Sequence, residues 1–395
     1  MRQATSLDLE AEESGRQNMT DQQYEKPELS EAVGSTAHPE TCPGPLTLPF
    51  QFQGGNVTRR PSIREVSQLA GVSLGTASNV LNHPELVSEH TRKKVEAAIE
   101  KLGFIPSEAG RRLRKVDSKL VGVLVFDVAN PFFAAAASAI EARLAEESCF
   151  PIIASTGGDP DREVNLLRLL LGQEVRGIIL TPSSGAEKSL QLLETIKIPL
   201  VLLDHPALKK GMSAVSVDDT RGAEIAIEHL RSLGHRRIGF INGSLKVRQA
   251  QARRAGVRKT VMKFNDLLTL AEINAERFDV ASGERAMTEL LSLHPEVTAV
   301  FCANDSLAIG AMRAARRRHL AVPRDISIIG FDDIDVAREL ITPLTTVRQP
   351  MEQLGETAAR LLLGQLVEGR DIAFVPKLVV RESTAPPRHP DNDLV

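Results

Sequence analysis

The sequence predicts two kinds of architecture in one chain: an α-helical helix-turn-helix headpiece, followed by α/β structure in the form of two doubly wound parallel-sheet lobes. Three observations carry this expectation. Between Ser62 and Asn82, two short helical segments meet at Ala70-Gly71-Val72. From Leu120 onward, continuous apolar runs alternate with amphipathic helical stretches, as expected for parallel strands covered on both faces. These units are too numerous for one small sheet, so two lobes are the natural arrangement. A length of 395 residues agrees, since it exceeds one ordinary core and suggests two or three domains.

Residues 1–58 are rich in Glu, Gln, Ser, Thr and Pro and carry nine acidic against three basic residues without a sustained apolar period. A disordered acidic extension is expected, because such a segment cannot bury enough surface to offset its ordering. It is either a plain extension or misassigned start, or an arm that competes with DNA for a basic surface.

Residues 59–106 form the headpiece. Ser62 with Glu65 three residues later fits a capping box, and Ser73 stands where an N-cap would begin a second helix. Ile63, Val66, Leu69, Val72, Ala77, Val80 and Leu81 recur at helical spacing and can close a miniature core. Ser73, Leu74, Gly75, Thr76, Ser78, Asn79 and Asn82 then face outward, small and hydrogen-bonding, which suits a major groove. These residues alone also fit an ordinary helical hairpin. A third helix is expected from Ser88, with Val95, Ala98, Ile99 and Leu102 on one face and Gly103 as its stop. From Arg59 to Lys119 there are twelve Lys or Arg against seven Asp or Glu, in a chain of formal net charge -3. Residues 107–119 are short, basic and poor in apolar side chains, a linker or hinge helix unstable in isolation.

Strands are expected at LVGVLVFDV, FPIIAST, GIILTPS, PLVLLD, AVSVDD, RIGFING, AVFCAND and ISIIGFDD, with helices such as Phe133 to Glu147 and Thr220 to Leu233 between them. Ligands of open parallel sheets bind beyond the carboxyl ends of strands. Asp127, Asp204, Asn304 with Asp305, and Asp332 with Asp333 end apolar runs here, although Asp and Asn also serve as caps and turn formers.

The segments REVSQLAGVS, VLN, VSEHTRKKVEAAIEKLGF and RRLR resemble the lactose-repressor/galactose-repressor family of bacterial transcriptional regulators. The resemblance continues through VGVLVFDVANPFF, DREVNLLRLLLGQEVRGIIL, AIEHLRSLGHRRIGFING, FCANDSLAIGAMRAA, ISIIGFDDIDVA and PLTTVRQPMEQLGETAARLLL, covering roughly residues 60–385. It implies lobes of the periplasmic-binding-protein type within 120–384, the first at about 120–217 and 348–369, the second at about 218–347 and 370–384. A flexible tail at 385–395 follows, without the heptads of a coiled coil.

The same resemblance supplies site residues. Asp204, Arg253, Asn304 and Asp332 match positions that hydrogen-bond a sugar or similar effector in the interlobe cleft, and Phe132, Phe133 and Phe278 match positions that pack against it. Ile63 and Ser88 join the outward-facing residues as DNA contacts, and Leu113 matches a leucine wedged into the minor groove, or else packs on its dimer mate. The headpiece departs from the family at Asn79, where an Arg is often found, and at Leu74 and Gly75. Asn79 offers an amide to adenine instead.

The expected function is an allosteric, sequence-specific DNA-binding transcriptional repressor. Its partners would be palindromic double-stranded operator DNA, a small-molecule effector of sugar type and a second copy of the chain, without a membrane. A solute-binding protein with the same two lobes is the alternative. It would have no use for the headpiece and would need a secretory signal, which is not seen. No phosphate loop, dinucleotide glycine pattern or nucleophile elbow marks an enzyme. Cys42, Cys149 and Cys302 lack metal-ligand spacing, His229 and His235 are six apart, and neither metal nor cofactor is expected. The expected location is the cytoplasm.

Overall fold

The computed structural model describes residues 61–104, 118–264 and 267–388. The acidic extension, Leu113 with nearly all of the linker, and the end of the tail lie outside them. The described residues belong to two units, 1–106 and 107–395, taken here one at a time.

The headpiece has three helices, α1 (Ile63–Ala70), α2 (Leu74–Asn82) and α3 (Glu89–Leu102). The Ser62 and Glu65 capping box is present: the Glu65 amide donates to Ser62 Oγ at 3.4 Å, and the Ser62 amide donates to the Glu65 carboxylate at 2.6 Å. Gly71 ends α1 at φ +65°, a conformation that disfavours side chains, and so turns the chain within one residue. Val66, Ala77, Val80, Val95 and Ala98 are buried together, with Ile63 packed against them. Leu69, expected in this core, is 45% exposed.

In the second unit the first sheet runs, in spatial order, β11 (Asp371–Phe374), β5 (Ser213–Val217), β4 (Leu200–Leu203), β3 (Gly177–Leu180), β1 (Leu120–Val125) and β2 (Phe150–Ser155), all parallel. Two helices, α4 (Pro131–Glu146) and α12 (Met351–Leu362), supply Ile140, Leu144, Leu354 and Ala358 to one of its apolar clusters. Leu167 and Leu170 of α5 (Pro160–Gly172) belong to another.

The second sheet runs β12 (Lys377–Val379), β10 (Thr345–Arg348), β9 (Ser327–Asp332), β8 (Ala299–Cys302), β6 (Arg237–Asn242) and β7 (Thr269–Asn274). Only β12 is antiparallel to its neighbour among the described strands. Phe240, Phe301 and Phe331 lie ring to ring at 5.2 and 6.4 Å in its core.

Two expectations are corrected. The first lobe does not end near residue 369: Asp371–Phe374 pairs in register with Ala214–Val217, so the last crossing falls at Val375-Pro376. The stretch 370–384, expected wholly in the second lobe, therefore gives two short strands in different sheets. Proline cannot donate to a ladder and suits the break between them. The tail expected to be flexible is pinned at its first residue, Ala385. The Ala385 amide donates to Ser327 Oγ at 3.0 Å, and the Ala385 carbonyl accepts from Ser327 Oγ at 3.0 Å and from His235 Nε2 at 2.9 Å. Burial pushes the His235 imidazole below its ordinary value, so it sits here as a neutral ring.

Candidate functional site

Two constellations carry the chemistry. In the headpiece, α2 presents its first turn and one flank to solvent. Ser73 Oγ accepts from the Thr76 amide at 3.1 Å and shares a hydrogen bond with Thr76 Oγ1 at 2.8 Å, so both hydroxyls hold the helix start. Asn82 turns its amide back onto the Ser78 carbonyl and hydroxyl. Ser88 begins α3 in the same way, accepting from the Thr91 amide at 3.4 Å, and Ile63 is half-buried against the core. What is left outward is Leu74, 46% exposed, Gly75 and Asn79. The side-chain amide of Asn79 has no hydrogen-bond partner among the described residues. An amide and an apolar methyl donor on one face can read adenine and the thymine methyl.

The second constellation lies where the two sheets turn their strand ends toward each other. Asp204 follows β4 at φ +55°, Asp332 ends β9 at φ +119°, and Asn304 follows β8. Asn304 does two things: Oδ1 accepts from the Leu307 amide at 2.9 Å, capping α10 (Asp305–Arg317), while Nδ2 donates to the Phe278 carbonyl at 3.3 Å. The Cζ end of the Phe278 ring presses on Gly243, where an added Cβ would sit 2.1 Å from it. Only glycine permits that approach. Phe132 and Phe133, at the start of α4, meet edge to face at 4.9 Å between centroids.

Arg253, on α8 (Arg248–Lys263), is the hub. Its Nε donates to Asp219 Oδ1 at 3.0 Å and its NH1 to the Ala303 carbonyl at 2.5 Å. Its NH2 lies 3.9 Å from Asp332 Oδ1, and the guanidinium covers the Phe331 ring at 3.8 Å. Asp219 also accepts from Arg248 at 2.8 Å, while Gln349 Nε2 donates to Asp332 at 2.6 Å. Across the lobes, Gln249 Nε2 donates to Asp204 Oδ2 at 2.6 Å and Ser184 Oγ to the Lys246 carbonyl at 2.5 Å.

Burial raises the Asp204 carboxyl to about 7, assisted by repulsion from Asp219 and opposed by Arg248 and Arg253. Burial likewise raises Asp332 to about 7, with Arg253 opposing. Groups perturbed in this way by desolvation and close charges mark functional clefts more often than ordinary structure.

Asp204, Arg253, Asn304, Asp332, Phe132, Phe133 and Phe278 all line one cavity of about 50 Å³. That is room for a few waters. A chamber of about 710 Å³ adjoins it, sharing Phe126, Asn130, Gly158, Lys246, Val247 and Phe278. Asp127 lines the larger chamber and also holds a turn, accepting from the Ala129 amide at 3.0 Å.

Sequence reasoning missed Asp219, Arg248, Gln249 and Gln349. Gln349 directly follows β10, so the strand-end rule that found Asp204 would have found it. Asp219 opens α7 (Asp219–Ser232) and reads as an ordinary acidic first-turn residue. Among the described residues there is no group of three or more His, Cys, Asp or Glu arranged to hold a metal, and no helix long and apolar enough to cross a membrane.

With this geometry in view, the chain matches known proteins over most of its length. Residues 62–107 match the model described as bacterial regulatory proteins, lacI family, and 227–384 the periplasmic binding protein-like domain. The ribose operon repressor of Haemophilus influenzae is 33% identical over 327 residues, 82% of this chain and 98% of that one. Among solved structures, the lac repressor dimer bound to operator and the anti-inducer ONPF is 29% identical, with a TM-score of 0.71, over 83% of this chain and all of that one. A regulator from Enterococcus faecium with bound ribose is 30% identical, with a TM-score of 0.62, over 68% of this chain and all of that one.

Proposed function

The chain belongs to the lacI family of bacterial regulatory proteins, and we propose that it is a homodimeric repressor that reads a palindromic operator and releases or grips it according to a small hydroxyl-rich effector in the interlobe cleft. Two headpieces, one per half-site, match the two-fold symmetry of a palindrome. Asn79 and Leu74 are the base readers, with Gly75 letting the backbone come close. Such a protein works in the cytoplasm, where the DNA is.

One observation carries the regulatory part: the hydrogen bonds that hold the lobes together are made by the cleft's own ligand-facing groups. Gln249 occupies Asp204 Oδ2, and Asp204 Oδ1 is buried and unpaired, as are Gln349 Oε1 and Thr181 Oγ1. An effector that takes over Asp204 Oδ2 displaces Gln249, so its occupancy and the lobe geometry belong to one equilibrium. A ligand moves that equilibrium only as far as its affinities for the two geometries differ.

The unpaired groups also speak to the effector's chemistry. Carboxylate and amide oxygens accept hydrogen bonds, so the ligand must bring donors, and the faces of Phe132, Phe133 and Phe278 suit the C–H faces of a sugar ring. A pentose or hexose meets both demands. A ligand carrying further carboxylates or phosphates would face Asp204 and Asp332 directly.

The test is a gel shift of the purified chain on palindromes near its own gene, paired with a thermal-shift screen of neutral sugars. Selective binding of one palindrome, altered by the sugar that raises thermal stability, is the expected result. Equal affinity for every duplex, or a stabilising sugar with no effect on DNA binding, would sink the reading.

A further inference from the structure

At the opposite end of the first sheet from Asp204, the residues leading into its strands are basic. Lys119 precedes β1, Arg176 precedes β3, Lys197 lies three residues before β4, Lys209 and Lys210 shortly before β5, and Arg370 directly before β11. In sheet order β11-β5-β4-β3-β1, every one of five successive strands is thus introduced by a cation. The backbone ties these residues into one edge: the Arg176 amide donates to the Leu120 carbonyl at 2.7 Å, Ile178 to Pro199 at 2.9 Å and Ala214 to Arg370 at 2.8 Å. At about 4.8 Å between neighbouring strands, the row is roughly 20 Å long.

These charges are available. All six side chains are exposed, and only Lys209 is paired with a carboxylate among the described residues, with Glu194. Arg176 meets nothing more polar than the Cys149 thiol, at 3.8 Å. Arg176, Lys197, Lys209 and Lys210 share a groove of about 600 Å³ with Glu194 and Glu368, so the row is cationic on balance and not uniformly so. The same edge of the second sheet is mixed, with Arg236 before β6, Glu296 before β8 and Asp325 before β9.

The row stands where the chain enters the first lobe, at Ser118-Lys119-Leu120. The headpiece is tethered to that point by the fourteen peptide units between Phe104 and Ser118, a reach of at most roughly 50 Å. DNA held by the headpiece is therefore kept at high local concentration near this edge. A duplex carries one negative charge per about 1.7 Å of axis, so a 20 Å line of cations meets several phosphates at once.

We propose that this row is a second, sequence-independent DNA contact that holds the backbone flanking the site read by the headpiece. It rests on the regulator reading above and adds to it a part of the effector lobe that touches DNA. Effector-driven movement of the first lobe would then lift these cations away as well as disturbing the headpieces.

The experiment compares a minimal operator with the same operator extended by about ten base pairs on each side, for the unaltered chain and for Lys197→Gln/Lys210→Gln/Arg370→Gln. Lys188→Gln/Lys259→Gln/Arg316→Gln serves as a charge-matched control away from the row. The expected result is an affinity loss of about tenfold on the extended DNA and a smaller loss on the minimal one. Three substitutions in each protomer take six cations from the dimer, so the slope of log affinity against log salt should fall by up to about 5, roughly 0.9 per lost contact. Thermal stabilisation by the effector should be unchanged. Equal behaviour of the two triple variants, equal loss on both DNA lengths, or tighter binding by the row variant, which would mean the row holds an acidic protein segment, each overturns the proposal. If the unaltered chain prefers no operator at all, it is the regulator reading that fails. A normal operator preference that ignores DNA length defeats only the flanking contact.

Discussion

The reading helix and the effector cleft treat polar side chains in opposite ways. On α2, Asn79 faces water with its amide unengaged, and Thr76 and Asn82 bond to groups of their own helix and its cap. In the cleft, Asp204, Asp219, Arg253 and Asp332 are each 5% exposed or less, Arg253 facing both Asp219 and Asp332 while Gln249 holds Asp204. A surface built of independent groups can be retuned one residue at a time, with effects that add. A buried network cannot, because each group's partner is left unpaired when it is removed. Operator preference should therefore be easily changed in this protein, and effector chemistry changed only in concert.

The largest break of that contrast is Arg253→Ala. Asp219 would keep only Arg248, and the Phe331 ring would lose its cover. About 3–5 kcal/mol of effector-unit stability should go, since removing one partner strands a buried charge. Calorimetry should record a lowered transition for that unit and abolished sugar binding. Loss of less than about 1 kcal/mol would mean the network is not acting as a unit.

Asn79→Ala should do the reverse. Operator affinity falls by roughly 1–3 kcal/mol with relaxed preference at one base pair, while thermal stability stays put. A selection experiment on randomised half-sites would read both. Unchanged preference would remove Asn79 from the reading face.

Acidity sharpens the comparison, because the headpiece's outward readers do not titrate while the cleft does. The Asp204 and Asp332 carboxyls titrate near 7 when folded and ordinarily near 3.8, so their protonated forms favour the folded state. That contribution is complete below about pH 4 and is lost as pH rises through about 7. An effector that donates hydrogen bonds needs them ionised, so its affinity should rise several-fold from pH 6 to pH 8 while the stability of the unliganded unit declines. Titration calorimetry across this range tests it, and a flat profile counts against both carboxylates.

Gly75→Ala is the smallest. An added Cβ there would meet nothing nearer than Ser73 Oγ at 3.7 Å, so α2 should gain about 1 kcal/mol in helical preference. A simultaneous loss of operator affinity would show that the backbone approaches DNA at this point. A gain in both would show that it does not.

Much of this was legible beforehand, for identifiable reasons. The central strands are uninterrupted apolar runs, and the headpiece helices announce themselves through Ser62, Ser73 and Ser88. The strand β7 did not, because at a sheet edge it alternates weakly and includes Glu272, a half-buried carboxylate that binds Arg254 and Arg258. Asp371–Phe374 is likewise an edge strand with partly exposed residues, and four residues carry too little pattern to be assigned to one sheet over another. The ends of strands pointed to Asp204, Asn304 and Asp332, and the family resemblance added Arg253. Nothing local distinguishes Gln249 from any glutamine in the first turn of a helix. Its importance arises from Asp204, forty-five residues away, and only three-dimensional proximity reveals it.

The way the two sheets share the final stretch of chain sets an order of assembly. Residues 62–104 close their apolar core among themselves, whereas the first sheet waits for Asp371–Phe374 and the second for Lys377–Val379 and the Ser327–Ala385 clasp. A chain stopped near residue 365 would carry a finished DNA reader followed by two lobes with open edges. Synthesis thus delivers the binder before its regulator.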